Sequence, residues 1–234
     1  MKNTIQDKTK LVNSVFSEVY KKYDLMNDIM SFGIHRVWKD KFIDWMRPSQ
    51  SSTLIDVASG TGDIAKKFSL RVNNLSEITC DEPNNEMFQK GKNNLKTFNN
   101  IKWIKSQAET LPVKDNLYDF YSISYGIRNV TDINKTLREA YRVIKPGGRF
   151  MCLEFSKIDN ELINFLYKQY SNTIPIIGKY IVGSSEPYEY LVKSINSFYT
   201  QEQLSELIIK NGFTNVEYRN LSSGISAIHS GWKI

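Results

Sequence analysis

Cysteine and histidine are both scarce in this sequence, with two of each in 234 residues. Cys80 and Cys152 stand far apart, each beside an apolar run. That spacing excludes a disulfide framework and a zinc-ligand pattern, and it predicts two buried core thiols and no metal site. Long hydrophobic runs are missing as well. No stretch reaches the ~20 apolar residues that a bilayer-spanning helix needs, and the polar opening MKNTIQDKTK has no apolar signal core. A cytoplasmic, soluble chain is expected. Blocks of like charge are also absent. The formal net charge is +6, yet Lys and Arg alternate with Asp and Glu as on ordinary solvated helices, so a nucleic-acid arm is not indicated.

The sequence does contain the makings of a core. A hydrophobic fraction of 41% is enough to bury one, and 234 residues suit a single α/β domain with an added element. Residues 1–47 read as a helical cap rich in aromatics, broken at Ser31-Phe32-Gly33 and closed by Pro48. Over 48–156, the expected core, short apolar strands at 52–57, 77–81, 100–105, 118–124 and 149–155 alternate with helices at 64–69, 85–94 and 133–143. That rhythm predicts a doubly wound, mostly parallel sheet. Residues 157–200 break it with helical runs rich in Tyr, Phe and Ile, and read as a helical lid. Over 201–234, a helix stopped by Gly212 and a hairpin of 216–221 with 225–230 close the chain.

The first βα turn carries the strongest motif, Asp56-Val57-Ala58-Ser59-Gly60-Thr61-Gly62-Asp63. Gly60 and Gly62 allow a tight turn and a close backbone approach to a ligand. Loops at the carboxyl ends of parallel strands are where such sheets bind. A dinucleotide site calls for G-x-G-x-x-G around pyrophosphate. Here Ala65 holds the third glycine position, and Asp63 adds negative charge where pyrophosphate would sit. Asp56 supplies another acid, suited to a cationic ligand. S-adenosyl-L-methionine, with an ammonium, a sulfonium and no phosphate, fits this loop better than a nicotinamide cofactor. Asp81 ends the second strand, where a carboxylate can accept both ribose hydroxyls; a helix N-cap is the plainer reading. Ser106-Gln107-Ala108-Glu109 follows the third strand and offers polar groups to an adenine edge, with room beside Ala108. Ser124 ends the fourth strand, next to the expected positions of the sulfonium and the methyl acceptor.

Together, this loop and Ser124-Tyr125-Gly126-Ile127-Arg128-Asn129-Val130-Thr131-Asp132 resemble the ubiquinone/menaquinone biosynthesis C-methyltransferase family. Tyr23-Asp24-Leu25-Met26-Asn27 with Met30-Ser31-Phe32-Gly33 resembles its N-terminal signature. Tyr141-Arg142-Val143-Ile144-Lys145-Pro146-Gly147-Gly148, continuing to Leu153-Glu154-Phe155, resembles its second. The resemblance extends over nearly the whole chain. It implies a Rossmann-like class I methyltransferase, with a seven-stranded sheet, N-terminal helices and a helical lid insertion. It also implies methyl transfer from S-adenosyl-L-methionine to a ring carbon of a polyprenylated quinol, in ubiquinone or menaquinone biosynthesis or both. By position, it implies donor-binding roles for Thr61, Asp81, Gln107, Ala108 and Ser124. Ser59 stands where the family usually has glycine, and Gln107 where Asn or Asp is commoner.

C-methylation of a quinol needs an electron-rich ring, a stabilised phenolate oxygen and a route for the hydroxyl proton. Arg128 is the first candidate partner of the ring oxygen; an ion pair with Asp132 or an N-terminal acid is its plainer reading. Asn129 is placed to orient the ring oxygen or a water, and Tyr23 and Asp24 to close the site. His229, alone on a late strand, reads first as structural. In the lid, Phe165, Leu166, Tyr170, Ile174, Ile176 and Ile177 read as cover for a greasy tail or as core packing. A bilayer-resident acceptor implies transient contact with the inner face of the membrane, which interleaved lysines such as Lys168 and Lys179 would tolerate. A homodimer and a quinone-biosynthesis complex stand as further partners. Three rival readings remain: an NAD-dependent oxidoreductase, which lacks its fingerprint here; a methyltransferase with another small-molecule acceptor; and a non-catalytic donor-binding scaffold.

Overall fold

The computed structural model describes residues 33–158 and 185–234, together with Ser17, Asp28, Ser31, Glu161, Asn164, Phe165, Tyr167, Gln169, Tyr170 and Thr173. Tyr23, Asp24 and the lid positions Leu166, Lys168, Ile174, Ile176, Ile177 and Lys179 lie outside the described residues.

The strands are β1 (Leu54–Val57), β2 (Ile78–Asp81), β3 (Ile101–Ile104), β4 (Tyr118–Ser124), β5 (Ile144–Phe155), β6 (Thr214–Leu221) and β7 (Ser226–Trp232). They form one seven-stranded sheet in the order β3-β2-β1-β4-β5-β7-β6. All pairings are parallel except those of β7, which runs antiparallel to both β5 and β6. β1 and β2 are buried at every position. A parallel sheet covered on both faces leaves no solvent side, so these strands show no polar alternation. β6, at the open edge, is exposed along most of its length, and a register shift between Thr214 and Glu217 interrupts it. Bulges and charges of this kind keep an edge from pairing with other chains.

The helices are α1 (His35–Met46), α2 (Asp63–Arg71), α3 (Asn85–Asn94), α4 (Ile133–Val143), α5 (Glu186–Asn196) and α6 (Gln201–Lys210), with a 3-10 turn at Ile127–Asn129. Their starts follow side-chain chemistry. Asn84 caps α3 and Asp132 caps α4, each accepting from a backbone N–H in the first turn, while Thr200 and Gln203 form a reciprocal capping box on α6. α4 buries Thr136, Leu137, Ala140 and Val143, one face of its 3.6-residue period. With α6 it covers one side of the sheet, where Leu137, Ala140, Leu204, Ile208 and Phe213 share a core with Cys152. The other core gathers Trp38, Phe42, Phe68, Tyr188 and Leu191 with Cys80. Both thiols are buried and free, as expected.

The fifth strand departs from its expected start at 149. β5 begins at Ile144, paired with Tyr118, and a register shift separates that pair from Phe120 and Arg149. Lys145-Pro146-Gly147-Gly148 is therefore taken up within the strand as an irregularity. A Cβ on Gly148 would lie 2.5 Å from Ile144 Cγ2 and 2.9 Å from the carbonyl oxygens of Asp119 and Lys145, so the close approach requires glycine. The strand order reverses between β1 and β4, and the loops leaving their carboxyl ends meet there.

Candidate active site

Each of these loops starts with the same backbone turn. Ala58, one residue past β1, has φ 52°, and Tyr125, one residue past β4, has φ 56°. Left-handed backbone costs a residue with a side chain about 1–2 kcal/mol. Neighbouring bonds hold it in place: Ser59 N–H donates to the Asp81 carbonyl at 3.0 Å, and Tyr125 N–H to the Leu153 carbonyl at 2.7 Å. Ser59 itself keeps an ordinary φ, and its hydroxyl closes the turn on the Asp56 carbonyl at 2.6 Å. Serine is thus accommodated at that position without strain.

Between the loops lies a cleft whose walls include Ala58, Gly60, Asp81, Glu82, Met87, Gln107, Ala108, Glu109, Ser124, Tyr125, Asn129 and Val130. Of the candidates from the sequence, Gly60, Asp81, Gln107, Ala108, Ser124 and Asn129 come together here. Asp81 is fully buried. Its Oδ1 accepts from Ser106 N–H at 2.8 Å and Ser106 Oγ at 2.6 Å, whereas its Oδ2 and the Oγ of Ser124 have no partner among the described residues. Buried polar atoms are seldom left so, and orphans lining a cleft point to a polar ligand. Burial pushes the Asp81 carboxyl up to about 7 against the opposing bonds from Ser106.

Glu82 is a site residue that sequence reasoning missed. Its Oε2 accepts from Gly60 N–H at 2.8 Å and its Oε1 from Asn84 N–H at 2.9 Å, so one buried carboxylate ties the glycine loop to the start of α3. Burial lifts it to about 7 as well. Its only sequence signal is an acid following the strand-ending Asp81. Asn84 Nδ2 in turn donates to Ser17 Oγ at 3.0 Å. Glu109 locks the opposite rim, accepting from Thr131 and Asp132 N–H at 2.7 and 3.0 Å.

Other candidates stand apart from the cleft. Asp56 sits behind the loop, 1% exposed. Ser122 Oγ donates to its Oδ1 at 2.6 Å, its Oδ2 has no partner within hydrogen-bond distance among the described residues, and burial raises it to about 7. Thr61 and Gly62 face a separate groove with His35, Arg36, Asp63 and Lys66. Gly62, at φ 85°, is required for packing: a Cβ there would lie 2.5 Å from Leu95 Cδ1. Asp63 pairs with Lys39 of α1 at 2.7 Å. Burial pushes its carboxyl up, but the Lys39 charge and hydrogen bond outweigh that and hold it below its ordinary value. Its charge is thus met by the protein.

Arg128 is buried and pairs with Glu154 of β5 at 2.5 Å, not with Asp132, which caps α4. The same guanidinium donates to the Tyr125 carbonyl at 2.8 Å and lies over the Phe155 ring. Arg128 therefore braces the turn after β4, while the neighbouring Asn129 lines the cleft. His229 is structural in its setting: its Nε2 meets the Gln201 carbonyl at 3.0 Å, and burial lowers its pKa to about 4, so the ring is neutral.

A cleft at the switch point, its walls carrying a carboxylate oxygen, a hydroxyl and an amide, lies where open α/β sheets take their ligands. Comparison with known proteins agrees. The chain is 52% identical, over 97% of its length and 94% of the relative's, to the ubiquinone/menaquinone biosynthesis C-methyltransferase UbiE of Rickettsia bellii. Among solved structures, an S-adenosylmethionine-dependent methyltransferase of Thermotoga maritima, described as a possible histamine N-methyltransferase, shares the fold with TM-score 0.67 at 20% identity, covering 94% of this chain and 99% of that one. A Haemonchus contortus phosphoethanolamine N-methyltransferase, solved with S-adenosylhomocysteine, does so with TM-score 0.63 at 12% identity, over 84% of this chain and 52% of its own. Residues 2–233 match the model of one family, and the chain belongs to it: the ubiE/COQ5 methyltransferase family.

Proposed function

We propose that this chain transfers a methyl group from S-adenosylmethionine to a ring carbon of a polyprenylated quinol in ubiquinone or menaquinone biosynthesis. The observation that carries the reading is the cleft at the β1/β4 switch point, in a chain 52% identical to a UbiE C-methyltransferase. S-adenosylmethionine, when bound, supplies an electrophilic methyl group on a sulfonium.

The chain's residues fit that donor. The free Oδ2 of Asp81 suits the ribose hydroxyls, the close backbone at Gly60 admits the amino-acid portion, and Gln107 and Ala108 flank the space for the adenine. Asp56, Asp81 and Glu82 surround the loop with acids, which favour a cation over a pyrophosphate. Ser124 and Asn129 stand on the wall where the acceptor ring meets the methyl group. The quinol hydroxyl would give its proton to water; the ring carbon would take the methyl as the methyl–sulfur bond breaks and then lose its own proton to restore the aromatic ring, while the Asn129 amide would stabilise the charged oxygen. Arg128, held by Glu154, positions that wall. Ala58, Met87, Ala108 and Val130 add apolar surface to the lining and limit water. Tyr23 and Asp24 are assigned to closing the site on the strength of the family match. Brief docking on the inner face of the membrane follows from a bilayer-resident acceptor; no helix among the described residues is long and apolar enough to cross a bilayer.

Calorimetry with S-adenosylmethionine and with NAD tests the donor half. Release of S-adenosylhomocysteine on adding a demethylated benzoquinol or naphthoquinol tests the acceptor half. Binding of NAD in preference to S-adenosylmethionine overturns the reading, and so does donor binding with no turnover on either quinol.

A further inference from the structure

One hydrogen bond crosses the cleft wall from outside. Tyr190 of α5 donates from its hydroxyl to Asn129 Oδ1 at 3.0 Å. On its other side the Asn129 amide reaches the Tyr125 carbonyl oxygen, Nδ2 to O, at 3.4 Å. A carbonyl oxygen only accepts, so the amide must turn Nδ2 toward Tyr125 and Oδ1 toward Tyr190. Burial holds the Tyr190 phenol above its ordinary value, Arg128 opposing and Glu154 adding to it, so the hydroxyl is a neutral donor. An amide nitrogen carries two hydrogens. One is directed at Tyr125; the other has no acceptor among the described residues, and Asn129 lines the cleft.

We propose that Tyr190 is a positioning residue for the methyl acceptor: by holding Asn129 Oδ1, it keeps the free amide hydrogen of Asn129 directed to an oxygen on the acceptor ring. The proposal rests on the reading that the cleft methylates a quinol ring. Its energetic logic is that of a preorganised donor. The ring oxygen is most negative as the carbon–methyl bond forms, so a donor already fixed there stabilises the transition state more than the ground state. Without the phenol, Asn129 Oδ1 loses its partner and the amide is free to swing about its last torsion. The same helix braces the neighbouring residue, since Arg128 Nε lies 3.4 Å from Ser194 Oγ. α5 therefore sets the geometry of this wall at two successive positions.

The test is Tyr190→Phe in the full chain, with kcat and acceptor KM measured on a demethylated quinol and the donor Kd by calorimetry. Expected is a fall in kcat of about tenfold, the scale of one neutral hydrogen bond, with donor Kd and melting temperature unchanged. Asn129→Ala should fall at least as far, and adding Y190F to it should change nothing more, because the two act through one bond. Wild-type kcat in Y190F overturns the proposal, as does a further full loss in the double variant. A donor Kd weakened as much as kcat also overturns it, as the mark of a general distortion. A wild-type chain that binds donor yet methylates no quinol overturns the underlying reading and this proposal with it.

Discussion

Replacing Glu82 by glutamine separates two effects that usually travel together. In the native chain both carboxylate oxygens accept, one from Gly60 N–H at 2.8 Å and one from Asn84 N–H at 2.9 Å. Glutamine keeps one acceptor and turns the other into an NH₂ that faces a donor. A buried N–H left without its acceptor costs about 1–3 kcal/mol, and the surviving bond loses its charge assistance. Against that, burial raises this carboxyl from 4.5 to about 7, so its ionised form carries a penalty of about 3 kcal/mol that the neutral amide does not. The two contributions nearly cancel in overall stability, and the melting temperature should move by less than about 4 °C, the shift expected for ~1 kcal/mol in a chain of this size. Donor affinity has no such compensation. The tie between the glycine loop and the start of α3 is broken at one of its two ends, and the cationic donor loses a neighbouring negative charge. Calorimetry should show Kd for S-adenosylmethionine weakened by about tenfold or more. A Kd within twofold of wild type would refute the assignment of Glu82 as the clamp of the loop.

Three further outcomes follow from the same geometry. Asp81→Asn should weaken donor binding by about tenfold or more, since only a carboxylate can accept from both ribose hydroxyls while still receiving Ser106; an unchanged Kd contradicts the role of the free Oδ2. Donor binding should release protons near pH 7. Asp56, Asp81 and Glu82 are raised to about 7 by burial, so the free chain still holds protons there, and a nearby cation favours the ionised forms. Affinity should therefore rise as pH climbs from 6 to 8, with a binding heat that depends on the ionisation heat of the buffer; a buffer-independent heat contradicts this. The same sign runs the other way for the free protein. The raised pKa values stabilise the fold most below about 4, and that contribution is lost as pH rises through 7. Glu154→Gln should destabilise the chain by about 3–5 kcal/mol in denaturant melts, because it removes the buried carboxylate that Arg128 pairs with; a loss below ~1 kcal/mol would show the ion pair to be dispensable.

Much of this was legible in the sequence, for local reasons. Buried parallel strands write themselves as short apolar runs, and the glycine loop marks the first βα turn, so the sheet and the donor cleft followed from patterns a few residues long. α3 and α4 span the expected residues because Asn84 and Asp132 are strong caps. What stayed hidden depends on contacts between distant positions. Glu82 meets Gly60 across 22 residues, Arg128 meets Glu154 across 26, and Lys39 neutralises Asp63 across 24. Pairing of Tyr118 with Ile144 draws the Lys-Pro-Gly-Gly segment into β5, where local turn chemistry reads as a stop. Thr61 and Gly62 belong to the loop motif, yet the left-handed turn at Ala58 carries the chain over so that they line the other groove. A motif identifies the loop; the backbone torsion decides which of its residues reach the cleft.

The most direct test of the account is to follow the methyl group itself. The chain is incubated with S-adenosylmethionine carrying a ¹³C methyl and with demethylated benzoquinol and naphthoquinol, and the product is examined by NMR. The account predicts a labelled methyl bonded to a ring carbon, with one S-adenosylhomocysteine formed for each methyl transferred. Label on a ring oxygen, or donor consumed with no label on either quinol, would contradict it.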